Sequence, residues 1–155
     1  MRFTTLASLL FTAGGLINAA PLESRQDNCP VTTTGDWTWK ITKFTGRRPE
    51  GNYYSVLSFH ITATNEGGWL DFDCSASAAW LQDDVFLTCG PNSGISFAFQ
   101  SQYNGLIVRH GNTLNPKIGT ATIPTVCRAG GDGPNDQVCE GVADRYVSLV
   151  DLPNL

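Results

Sequence analysis

The chain has 155 residues, with ten Lys and Arg against fourteen Asp and Glu, and five cysteines. A formal charge of −4 argues against general binding to nucleic acid or to an anionic membrane, both of which select an excess of bases. The length admits one domain with a real core and leaves too little chain for two.

Residues 1–20, MRFTTLASLLFTAGGLINAA, carry Arg2, an apolar run from Leu6 to Ile17 and small residues at Ala19 and Ala20. This is the pattern of a cleavable secretory signal, too short and too broken by glycine to span a bilayer. Its removal takes Arg2 away, so nine bases face fourteen acids and the 21–155 domain has a formal charge of −5. The expectation is a secreted, extracellular single domain. Its cysteines, Cys29, Cys74, Cys89, Cys127 and Cys139, then sit in an oxidising compartment, where pairing is the default and an odd number leaves one over.

Downstream of the leader the apolar pattern has a period of two. WTWKITKF (37–44) opens it, with Trp37, Trp39 and Ile41 on one face as core residues. In YYSVLSFHITAT (53–64), Leu57, Phe59, Ile61 and Ala63 share one face while Ser58, His60, Thr62 and Thr64 share the other, as in a half-buried strand. WLDFDC (69–74), DVFLTC (84–89), GISFAF (94–99), GLIVRH (105–110), IGTATI (118–123) and RYVSLV (145–150) repeat the theme between Gly, Pro and Asn punctuation. Only ASAAWLQDD (76–84) suits a helical turn. The pattern predicts an all-β fold: a single compact antiparallel β-barrel or sandwich of eight or more short strands, stapled by two disulfides.

The stretch VCRAGGDGPNDQVCEG (126–141) invites three readings. A phosphate loop needs a lysine and a following helix, and neither is here. A calcium loop could use Asp132, Asn135 and Asp136, but the EF-hand spacing and its closing glutamate are missing. The reading that remains is a Gly/Pro turn closed by a Cys127–Cys139 disulfide, worth about 3 kcal/mol in the chain-entropy model. Cys74 and Cys89 end two predicted strands and would staple that pair. Cys29 is left over. The reading assigns no cofactor and no metal.

Four of the bases, Lys40, Lys43, Arg47 and Arg48, fall within nine residues and precede Pro49, Glu50, Gly51, Tyr53 and Tyr54. On an acidic protein this is a local basic and aromatic surface, read as a turn between strands. Arg and Tyr anchor binding energy more often than most residues, so Lys43, Arg47, Arg48, Glu50, Tyr53 and Tyr54 form the candidate partner or ligand site. The competing reading is a solvated hairpin whose tyrosines pack in the core. Asp71 and Asp73 point to one strand face, about 6.5–7 Å apart, near the spacing of an inverting glycosidase pair. They carry the alternative of a carbohydrate-active enzyme or lectin on plant cell-wall glycans, against which stands their expected exposure.

The runs APLESRQ, CPVTTTGDWTWKITKFTGRRPEGNYYSVLSF, LDFDCSA and above all CRAGGDGPNDQVCEGVADRYVSLVDLP resemble the Alternaria major allergen family of secreted fungal proteins. The resemblance covers nearly all of the chain after the leader, including the five cysteines. It implies a compact β-barrel, the pairings Cys74–Cys89 and Cys127–Cys139, and a homodimer bridged through Cys29, a bridge that not every member has. It implies no established catalysis. Members are allergens, triggers of a hypersensitive-type plant defence, and binders of apoplastic defence proteins, thaumatin-like or otherwise pathogenesis-related, and of flavonoid-like phenolics. A phenolic is expected at the seam between two barrels, because side chains should fill the interior of each.

Overall fold

The alternation in YYSVLSFHITAT builds the strand it predicts: in β2 (Val56–Ala63), Leu57, Phe59 and Ile61 are buried while Ser58, His60 and Thr62 face outward. The structure, a computed structural model, describes residues 33–65, 69–111 and 116–152. The expected leader, the following residues through Thr32, and with them Cys29, lie outside the described residues.

Eleven strands and no helix occur among the described residues, in two antiparallel sheets. The first sheet is built on β1 (Thr38–Arg48), flanked on one side by β2 and then β3 (Asp71–Ser77). The other side of β1 is shared. Its first half pairs with β10 (Arg145–Ser148), and its second half pairs with β9 (Gln137–Gly141), which carries β8 (Thr125–Ala129) beyond it. The second sheet runs β11 (Val150–Asp151), β7 (Lys117–Thr122), β6 (Gly105–His110), β5 (Ile95–Gln100) and β4 (Leu87–Thr88).

The sheets meet face to face as a sandwich, one of the two predicted all-β architectures. Trp39, Ile41, Leu57, Phe59, Ile61 and Leu70 from the first sheet and its loops pack on Ile95, Phe97, Phe99, Leu106 and Val108 from the second. Phe59 meets Phe97 edge-on, with ring centroids 5.0 Å apart, an arrangement that adds to plain area burial. Gly119 in β7 marks the closest approach. A Cβ there would lie 2.5 Å from the Ser148 carbonyl oxygen and 2.8 Å from Val147, so only glycine lets β7 come this near to β10.

A bulge in β1 separates its two pairings, between Thr42 and Thr45. Lys43 takes a left-handed φ of 52° there. The extra residue reverses the facing of the strand: Trp39 and Ile41 point inward before it, and Phe44 and Gly46 after it.

Several expectations need correction. ASAAWLQDD holds no helix; β3 continues through Ser77 and turns follow. DVFLTC contributes only the two residues of β4. Cys74 and Cys89 do not join paired strands: Cys74 is in β3, which pairs with β2, and Cys89 follows β4, which pairs with β5. Their bond joins one sheet to the other. RYVSLV splits at buried Leu149, giving β10 to the first sheet and β11 to the second. The Cys127–Cys139 bond closes the Gly/Pro turn as predicted, with the two cysteines direct cross-strand neighbours in the β8–β9 hairpin.

Candidate functional site

The bulge decides where the basic segment goes. Arg47 and Arg48 belong to β1 and not to a turn. After the reversal, Arg48 projects on the same side as Gly46 and Phe44, toward the core edge, and its guanidinium lies 4.3 Å from the centroid of the Tyr54 ring. That ring is 1% exposed. It packs edge-on to Phe44 and Phe99, and it occupies the space over Gly46 where a Cβ would meet it at 2.4 Å. Tyr54 is therefore a core residue, and burial pushes its phenol above the ordinary value. Its hydroxyl makes no hydrogen bond of good geometry among the described residues.

Arg47 leaves the opposite side of β1 and meets the turn between β8 and β9. Its Nε donates to Asp136 Oδ1 and its Nη2 to Asp136 Oδ2, each at 3.0 Å, and the same Nη2 pairs with Asp132. The fork matches a carboxylate in two places at once, the strongest geometry available to the pair. Asp136 is 3% exposed and also accepts the Asp132 backbone N–H at 3.1 Å. The Arg47 guanidinium and that N–H hold its carboxyl below the ordinary value, and Arg47 is correspondingly raised. The two aspartates weighed as calcium ligands are thus engaged with a side chain of this chain.

The six predicted site residues are not brought together as one free surface. Arg47 is clamped, Arg48 and Tyr54 stack in the core edge, and Lys43 sits on the bulge beside a separate cleft that runs to Val142 and Asp144. Glu50 stays exposed on the turn. Tyr53 is half-buried and meets a residue that the sequence reading missed, Trp80, with ring centroids 6.0 Å apart. Trp80 is 59% exposed. The only signal for it was a large aromatic inside a stretch too polar and too small to bury it.

A second aromatic group lies elsewhere. Trp37 is 40% exposed rather than in the core, Trp69 is 63% exposed, and Trp39 is buried as predicted. His110 from β6 stands 5.5 Å from Trp37 and Trp39 and 5.8 Å from Trp69, centroid to centroid. Burial first, and Lys117 second, holds its imidazole below the ordinary value.

Asp71 and Asp73 do share an outward face, with His60 of β2 between them: Nε2 is 3.1 Å from Asp71 and Nδ1 is 2.7 Å from Asp73. The carboxylates are 76% and 87% exposed, not set in the apolar pocket that surrounds a glycosidase general acid.

The Alternaria alternata allergen 1 family profile matches residues 41–139. The chain belongs to this family. Among its relatives, Major allergen Alt a 1 of Alternaria alternata is 56% identical over 156 residues, 99% of this chain and 98% of that protein. Allergen Ste b 1 of Stemphylium botryosum is 57% identical over 138 residues, 86% of this chain and 99% of the relative. A crystal structure of Alt a 1 superposes with a TM-score of 0.75 at 53% identity, covering 81% of this chain and 97% of the other. The allergen 1 family is thus shown by sequence and by fold, and the relatives named here are allergens of Alternaria and a neighbouring fungal genus.

Proposed function

We propose that this allergen-family protein is a secreted, non-enzymatic effector or elicitor that triggers a hypersensitive-type plant defence by binding a host apoplastic defence protein, thaumatin-like or otherwise pathogenesis-related. The observation that supports this reading is the exposed Trp80 paired with half-buried Tyr53, three residues along the chain from exposed Glu50. Trp and Tyr, with Arg, most often carry the binding energy of an interface, and a 59% exposed indole offers most of its surface to a partner. In this reading the contact shifts from Arg47 and Arg48, which are engaged internally, to Glu50, Tyr53 and Trp80. A flavonoid-like phenolic remains a second ligand, placed at the seam of a homodimer.

The test is infiltration of purified protein into leaf tissue. Tyr53→Ala combined with Trp80→Ala should retain the wild-type melting temperature to within a few degrees and lose most of the defence response. An undiminished response from the folded double variant overturns the assignment of the surface.

A further inference from the structure

Trp37, Trp39 and Trp69 line one cleft of about 200 Å³, together with Asp36, Asn65 and Leu70. This is below the range of about 300–1,000 Å³ that holds drug-sized ligands, so the cleft suits a compact head group and not a large planar molecule. Three indoles line it, exposed Trp37 and Trp69 and buried Trp39, and an indole is the most favourable aromatic partner for a cation. At the rim, Asp36 Oδ1 accepts a hydrogen bond from Asn65 Nδ2 at 2.6 Å, which fixes the carboxylate without neutralising it. Outside the cleft lining, the His110 imidazole packs against all three indoles.

The chain already supplies one cation to this aromatic group. Lys117 Nζ lies 4.7 Å from the Trp37 ring centroid, held by Asp151 at 2.5 Å. It does not line the cleft, so its charge leaves the space open. A primary ammonium is strongly hydrated and gives up much on entering an apolar slot, whereas a methylated ammonium is weakly hydrated and spreads its charge over apolar groups.

We propose that the Trp37–Trp39–Trp69 cleft binds a trimethylammonium group, the head of choline and its derivatives. The site is independent of the host-protein surface at Tyr53 and Trp80, and either assignment can fail without the other.

The experiment titrates choline chloride into the purified protein and follows the indole N–H signals by NMR, with sodium chloride as the ionic-strength control. The uncharged isostere 3,3-dimethyl-1-butanol is run in parallel. Choline should saturate, and the isostere should bind about tenfold more weakly, the difference a desolvated cation–π contact supplies. Trp69→Ala, at a position 63% exposed, should keep the fold and weaken choline about tenfold, while Trp80→Ala should leave it unchanged. Cosedimentation with phosphatidylcholine vesicles, reversed by choline, assigns the group to a lipid head; choline saturation without cosedimentation assigns it to a free small cation, and both support the site. Absent saturation, equal affinity for the isostere, or a Trp69→Ala variant that binds choline as well as wild type overturns it.

Discussion

Arg47 of β1 and Asp136 of the β8–β9 turn form a two-pronged ion pair, with both nitrogen–oxygen distances at 3.0 Å and the carboxylate almost wholly buried. The pair ties a turn rich in glycine to the central strand of the first sheet. It also folds that turn, since the same carboxylate accepts the Asp132 backbone N–H, while the Asp136 carbonyl accepts that of Gly130 at 2.8 Å. A buried charge that loses its partner is costly, so Arg47→Ala should lower the melting temperature more than Lys117→Ala, whose exposed partner Asp151 is left in water.

The pair also sets an acid limit. The Asp136 carboxyl is held below its ordinary value of 3.8, so the unfolded chain takes up this proton first as pH falls. The sign follows: the stability contributed by Asp136 is fully present above about pH 4 and is lost as pH drops through the lower, folded value. Denaturant titrations between pH 5 and 2 should show Asp136→Asn less stable than wild type at pH 5, with the gap closing toward pH 2. A constant gap across that range would show that the carboxylate charge is not what matters.

The two disulfides restrain different things. Cys127–Cys139 closes one hairpin across 12 residues, while Cys74–Cys89 joins the two sheets across 15. Loop closure gives them similar entropic worth, about 3 kcal/mol each, within the 2–5 kcal/mol usual for small secreted domains. Chemical denaturation of the two double Cys→Ser variants should find losses in that range. Hydrogen exchange should separate them, with fast exchange confined to β8 and β9 when the hairpin bond is absent and spread through both sheets when the inter-sheet bond is absent.

Tyr54 and Gly46 test the reassignment of Tyr54 to the core. Gly46→Ala drives a methyl into the ring and should cost about 1–3 kcal/mol, the usual range for overpacking. Tyr54→Phe removes a buried hydroxyl that makes no hydrogen bond of good geometry among the described residues and should be neutral or stabilising by up to about 1 kcal/mol. A large loss on Tyr54→Phe in thermal denaturation would contradict this packing.

The glycan alternative makes a separate prediction. Asp71→Asn combined with Asp73→Asn should leave defence induction intact, because both carboxylates lie in water on either side of His60. Loss of induction in the folded double variant would favour the carbohydrate reading.

Period-two alternation made most strands legible, since a half-buried strand must repeat that way. β2, β5, β6 and β7 fall close to where the pattern puts them. The bulge was less visible, although a three-residue gap between inward Ile41 and Phe44 is its trace in the sequence. That gap decides that Arg48 and not Arg47 turns toward the core edge, and no local pattern says that Asp136, 89 residues away, receives Arg47. The inter-sheet role of Cys74–Cys89 was hidden for the same reason, because strand ends do not reveal which sheet a strand joins. Trp80 was missed because the alternation is absent around it, and Trp37 was placed in the core because it shares its parity with Trp39 and Ile41, while its position before the first strand residue leaves it at the rim.

The central claim is host-protein binding through Glu50, Tyr53 and Trp80, and capture from plant apoplastic fluid tests it most directly. Immobilised wild-type protein should retain a thaumatin-like or other pathogenesis-related protein identified by mass spectrometry, and the Tyr53→Ala, Trp80→Ala variant should lose it while Trp69→Ala retains it. Equal capture by the double variant, or no defence protein retained by the wild type, would contradict the account.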